Sequence, residues 1–182
     1  LSGDRFALLN NRDDMIYVVD SSGALLASRA MLHPPDEGLQ NVHGVVAGDF
    51  LYVSEDGNRR VLRMNLSTYE VSLYRDLGGL WPWLGALAWW NGAFYVCDPD
   101  TIYRVTDTEG PTEIASIGAG TIGGIQINWP VAYVCTGSAG TIERVNLQTG
   151  SVATHVAGID DPDSLAVHLR RVTSAKNWSL FP

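Results

Sequence analysis

The sequence predicts an all-β chain built as a β-propeller, and three observations predict it. Short apolar runs alternate with polar turns, no stretch shows a helical period, and three residue markers return at one spacing near forty. Gly44, Gly85, Gly124 and Ser164 recur inside apolar runs (VHGVV, WLGALA, IGGIQI, PDSLAV) at steps of 41, 39 and 40. Tyr52, Tyr95 and Tyr133 match in FLYV, AFYV and VAYV at steps of 43 and 38, and Arg63, Arg104 and Arg144 match in VLRM, IYRV and IERV at steps of 41 and 40. A unit of about forty residues with three or four short strands is a small sheet that cannot bury its faces alone, so neighbours must stack to make a core. A β-sandwich also places strands every ten residues or so, but it has no reason to repeat the same residue types at one long period.

The clearest unit runs from Asn41 to Met64. A glycine-bearing run leads to a turn at Gly48-Asp49, then to Phe50-Leu51-Tyr52-Val53, a second turn at Glu55-Asp56-Gly57-Asn58, and a third strand opening at Val61. Upstream, Phe6 to Asn10 aligns with second strands, Ile16 to Val19 with third strands and Ala24 to Met31 with fourth strands, so the first unit lacks an inner strand. The turns between third and fourth strands are polar in every unit: Asp20-Ser21-Ser22-Gly23, Asn65-Leu66-Ser67-Thr68, Thr106 to Gly110, and Asn146 to Gly150. The expected layout is one domain over 1–182, with units at about 1–40, 41–79, 82–120 and 121–160 and a partial unit at 161–182. About four blades are visible. Either the inner-strand run Asp163 to Leu169 closes the ring by pairing with the first unit, which would hide two sheet edges, or Val172 to Phe181 begins a further blade and the chain is part of a larger propeller.

The motif YVSEDGNRRVLRM, preceded by HGVV, resembles an NHL repeat: a glycine in the first strand, then Tyr-Val, an acidic turn, Asn, and Arg-Val-x-Arg. The second unit matches well. The third and fourth keep the Gly, the Tyr-Val and the Arg but lose the Asn-Arg pair, so the resemblance covers about two thirds of the chain. It is specific for a superfamily that includes sugar-lactonase-like, strictosidine-synthase-like and streptogramin-lyase-like propellers. It implies about six blades in a full ring, and most often a non-catalytic domain that engages a protein or small ligand at the mouth of its channel.

Composition narrows the partners. The 182 residues are 46% hydrophobic and 18% charged, and twelve Lys plus Arg against twenty Asp plus Glu leave a net charge of -8. Such a field repels phosphate backbones, which argues against nucleic acid. No apolar run approaches a membrane span. An incomplete ring would self-associate.

Candidate site residues follow from the repeat. The residue before the aligned glycine, at the channel mouth, is His43, Leu84, Gly123 and Asp163 in successive units. Under the resemblance to metal-dependent propellers, His43, Asp163 and Asn41 are the candidate ligands of one divalent cation, although a catalytic divalent site usually takes three protein ligands plus water, and Leu84 and Gly123 occupy positions where ligands could stand. Without a metal no cofactor is implied. Trp81 and Trp83 lie in the loop entering the third unit, and Trp89-Trp90 closes its first strand; such rings either stack on a ligand at the mouth or plug the gap between blades. Gly118, Gly120 and Gly123 fit G-x-G-x-x-G with Glu143 beyond, but a strand follows instead of the helix that would hold a pyrophosphate. Cys97 and Cys135 each follow Tyr-Val, so they are expected at equivalent places in adjacent blades, too far apart to bridge.

Overall fold

The structure, a computed structural model, describes residues 5–10, 13–31, 42–55, 59–78, 84–118 and 121–162. It is all-β, and among the described residues there is no helix. Among the described residues fifteen strands form four antiparallel sheets. The first sheet has three strands, β1 (Arg5–Asn10), β2 (Met15–Asp20) and β3 (Leu25–Ala30). The second has β4 (Val42–Ala47), β5 (Phe50–Glu55), β6 (Arg60–Asn65) and β7 (Val71–Asp76). The third has β8 (Leu87–Trp90), β9 (Ala93–Cys97), β10 (Thr101–Thr106) and β11 (Thr112–Ser116). The fourth has β12 (Ile122–Asn128), β13 (Val131–Thr136), β14 (Thr141–Asn146) and β15 (Val152–Ala157). Within each sheet the strands stand in chain order, and β4 packs beside β8 and β8 beside β12, with β1 beside β4. This is the arrangement of propeller blades around an axis.

The repeated residues occupy equivalent places. Tyr52 pairs across the strand with Arg63, Tyr95 with Arg104 and Tyr133 with Arg144. The last strand of each sheet carries one extra residue, Tyr74, Ile114 and His155 at the same register and Leu26 two positions nearer the turn, so every blade bends its outer edge. The turn before each fourth strand is held by the last residue of the third. Asp20 Oδ1 accepts from the Ser22 and Ala24 amides at 2.9 and 3.0 Å, Asn65 Oδ1 from Ser67 and Thr68 at 2.8 and 3.0 Å, and Asn146 Oδ1 from Gln148 and Thr149 at 2.9 and 3.1 Å. The bond from Ser22 Oγ and those from the Ala24 and Ser22 amides hold the Asp20 carboxyl below its ordinary value. The polar turn residues are therefore structural.

The core is divided among three junctions. Alternation along each strand sends one set of side chains to the preceding blade and the other to the following one. Leu51, Val53, Leu62 and Met64 pack on Ile16, Val18 and Ala27 of the first sheet. Tyr52 and Val61 pack on Leu87, Phe94, Val96 and Val105 of the third. Tyr95, Cys97 and Ile102 pack on Ala132, Val134 and Val145 of the fourth. The sequence expectation of an aromatic plug is met by Trp89, which stacks parallel to Tyr52 with centroids 5.9 Å apart and meets Phe94 edge-on at 4.6 Å.

The first sheet's other face lacks such cover. Phe6 and Leu8 hold the register positions of Leu51 and Val53, whose side chains are buried against a preceding blade, yet Phe6 is 56% exposed, Leu8 53% and Leu25 59%. The segments expected to close the ring, Asp163 to Leu169 and Val172 to Phe181, lie outside the described residues. An apolar face of this kind drives association. We predict that the chain self-associates at micromolar concentration in light scattering and that Leu8→Asp reduces the apparent mass while leaving the melting temperature within a few degrees, because the side chain is exposed. An unchanged mass distribution in the variant would show that this face is not the adhesive one.

Candidate functional site

The inner strands of the third and fourth sheets approach one another so closely that Gly85 has no room for a side chain. A Cβ on Gly85 would lie 2.5 Å from the Ile122 carbonyl oxygen of the next blade, and one on Gly44 would lie 2.8 Å from Leu9 Cδ1 of the preceding blade. Ser54, fully buried, ties the same region together: its Oγ accepts from the His43 amide at 3.2 Å and bonds the His43 and Gly85 carbonyls at 3.3 and 3.5 Å. Cys97 and Cys135 hold the corresponding second-strand position in the next two blades, and Cys135 Sγ donates to the Gly124 carbonyl at 3.7 Å.

Where the inner strands begin, a cleft of about 310 Å³ opens. His43, Leu84 and Gly123, the residues before three aligned glycines, all line it, joined by Thr121, Ser138 and Asp161. The contributors thus come from three successive blades. His43 lies inside β4 and Gly123 inside β12. His43 is half-buried and Asp161 exposed, its backbone in the left-handed region at φ 39°. Pro99, from the Asp98-Pro99-Asp100 turn, and Ile122 supply apolar wall. Thr121 and Asp161 each stand three residues before an aligned marker, Gly124 and Ser164, as Asn41 does before Gly44, so the repeat could have found them; Ser138, on the turn between β13 and β14, carried no such signal. Asn41, Trp81, Trp83 and Asp163 lie outside the described residues. Among the described residues no three His, Cys, Asp or Glu side chains cluster as a metal site would require.

Other chemistry-bearing groups are absorbed by the fold. Both cysteines are free and buried. Burial, then the neighbouring Asp98 and Cys135, pushes the Cys97 thiol far above its ordinary value, so it is protonated and a poor nucleophile at neutral pH. Glu55 is fully buried and receives Arg60 Nε and a terminal guanidinium nitrogen at 2.9 Å each on Oε2. Glu143, which the glycine motif offered as a ribose ligand, instead accepts from Thr141 at 2.7 Å and Thr154 at 3.2 Å inside the fourth sheet, and strand β12 follows the motif. His155 meets the Tyr133 ring edge-on on that sheet's outer face.

Three solved structures report on the fold. The chain is similar to a structural genomics protein of unknown function from Bacteroides thetaiotaomicron VPI-5482, with 18% identity and a TM-score of 0.68 over 88% of this chain and 50% of that one. It is similar to a streptogramin B lyase structure, with 14% identity and a TM-score of 0.63 over 82% of this chain and 50% of that one. A nidogen/laminin complex gives 13% identity and a TM-score of 0.65 over 83% of this chain and 59% of that one. The fold is a β-propeller. No family model matches the sequence, and no curated protein matches it. The chain spans about half to three fifths of the length of these solved chains.

Two expectations follow from the geometry. Gly85→Ala should cost about 1–3 kcal/mol of unfolding free energy in denaturant melts, because the colliding atom belongs to backbone and cannot rotate away; a neutral result would mean that the inner strands separate freely. Native protein should react slowly with a thiol reagent, and denatured protein without reductant should yield both thiols, since Cys97 and Cys135 are unbridged and buried. Recovery of no free thiol after denaturation would contradict this arrangement.

Proposed function

We propose that this chain is an NHL-type propeller segment that acts as a non-catalytic binding domain, engaging a protein segment or small ligand at the channel mouth. The observation that carries this reading is the cleft itself, formed by the same repeat position in three successive blades. Its walls are mainly apolar and backbone groups with a few hydroxyls, and its ionisable side chains among the described residues are His43 and Asp161. Such a surface orients a ligand by shape and hydrogen bonds.

A second reading is a metal-dependent hydrolase or lyase of the sugar-lactonase-like type, in which His43, Asp163 and Asn41 hold one divalent cation. It is favoured by one observation, the presence of a histidine and a carboxylate, His43 and Asp161, on a single cleft. Those two alone fall short of the three ligands that a catalytic site takes.

Elemental analysis of the purified chain and thermal melts with and without chelator separate the readings, because a specifically bound ligand raises apparent stability by RT ln(1+[L]/Kd). Melts would then be run against a panel of short peptides and sugar lactones. Binding at the mouth predicts that at least one compound raises the melting temperature, that Ser138→Trp abolishes the rise by filling the cleft, and that chelator leaves it intact. A rise that needs stoichiometric metal and disappears in His43→Ala supports the metal-dependent reading. A panel without any shift sensitive to Ser138→Trp would overturn both for this cleft.

A further inference from the structure

A second concavity lies at the opposite ends of the inner strands, between the third and fourth sheets, and the internal repeat shows what it lacks. At the junction between the second and third sheets, β4 ends on Ala47 and its cross-strand partner Phe50 carries the ring. That ring lies 6.0 Å from Tyr52, centroid to centroid, and the Arg63 guanidinium carbon stands 5.2 Å from its centre. One junction later the pair is reversed: β8 ends on Trp90, and its partner is Ala93. The large ring has moved from the second strand to the inner strand, and Ala93, only 2% exposed, forms the floor of the concavity beside it. The bulged residue is also smaller here, Ile114 in place of Tyr74.

A groove of about 560 Å³ results, lined by Trp90, Asn91, Ala93, Tyr95, Arg104 and Trp129. The indoles of Trp90 and Trp129 are parallel within 2°, with centroids 6.5 Å apart, and each residue is 40% exposed. Arg104 pairs in register with Tyr95 as Arg63 does with Tyr52, so the cation occupies the equivalent place. Its ion pair with Glu109, at 3.6 Å between exposed side chains, is a weak competitor for it. Burial raises the Tyr95 hydroxyl above its ordinary value despite the opposing pull of Arg104, leaving it a neutral phenol at neutral pH.

We propose that this groove binds an aromatic ring of phenol size, with Arg104 against its face, Trp90 and Trp129 as its wall and the buried Ala93 at its floor. Arginine and indole groups favour a π-face over a saturated ring of the same bulk. The ring comes either from a free phenolic compound or from a tyrosine side chain in a peptide; both present the same face. The site is separate from the channel-mouth cleft and stands or falls independently of it.

The test uses the whole chain with its tryptophans labelled for NMR, titrated with p-cresol, with N-acetyl-tyrosinamide and with cyclohexanol. The two aromatic probes should move the Trp90 and Trp129 indole signals saturably, the tighter of the two identifying the source, and cyclohexanol should bind at least several-fold more weakly. Ala93→Phe, which reproduces the filled junction, should weaken both aromatic probes at least tenfold with its strand circular dichroism unchanged. Should that variant fail to fold, Arg104→Gln serves, with weakened aromatic binding and unchanged cyclohexanol binding expected. Absence of a saturable shift, equal binding of cyclohexanol, or aromatic binding unaltered in the folded Ala93→Phe or Arg104→Gln protein would each overturn the proposal.

Discussion

The close approach of adjacent inner strands is the constraint on which the rest of this molecule depends. With the Ile122 carbonyl 2.5 Å from where a Gly85 Cβ would stand, the third and fourth sheets meet backbone to backbone at the axis. Strands further out diverge, and the widening wedge must be filled by progressively larger side chains. Ala86 and Ala88 pack beside this close approach, whereas the junction between the second and third sheets is filled by the rings of Tyr52, Tyr74, Trp89 and Phe94. A glycine at one repeat position therefore dictates the size of its neighbours along the blade.

Filling a wedge three times with different side chains gives three junctions of unlike character. The second and third sheets are locked by an aromatic cluster in which Tyr52 touches Phe50, Tyr74, Trp89 and Phe94. Tyr74 also bonds the Asp107 carboxylate, and Arg75 donates to the Thr106 carbonyl at 2.8 Å, so the outer edge of one blade grips the turn of the next. The third and fourth sheets instead pack small residues and cysteines, Ala93, Cys97, Ala132 and Val134, with less ring area. The channel-mouth cleft and the Trp90–Trp129 groove both border this leaner junction, which is where a repeat architecture has room to bind something.

Polar groups buried in the blades are paired in ways that remove them from chemistry. The Glu55–Arg60 pair is held within one hairpin, and its carboxylate is wholly withdrawn from solvent. Breaking such a pair strands a buried charge, which explains its geometry without a catalytic role. Thr136, Thr141 and Thr154 satisfy one another and Glu143 in the same manner on the fourth sheet.

Much of the architecture was legible in the residues because a repeat is a local property restated. The Tyr and Arg markers each occupy one register position per blade, and the turn residues Asp20, Asn65 and Asn146 cap the same turn with the same side-chain oxygen. The position before each aligned glycine was also visible, and His43, Leu84 and Gly123 share a cleft. Of the cleft's other polar members, Thr121 and Asp161 share the position three before the aligned Gly124 and Ser164, so the period could have assigned them, whereas Ser138 lies on a turn without such a partner. Trp90 and Trp129 each stand five residues after an aligned glycine, Gly85 and Gly124, and their rings lie parallel across the junction. The sequence by itself determined the blade, since strand alternation and turn chemistry act over a few residues. Only the tertiary structure decided which side chains meet across a junction, because that depends on how wide the wedge between two blades is at each radius and on which of two cross-strand partners carries the ring.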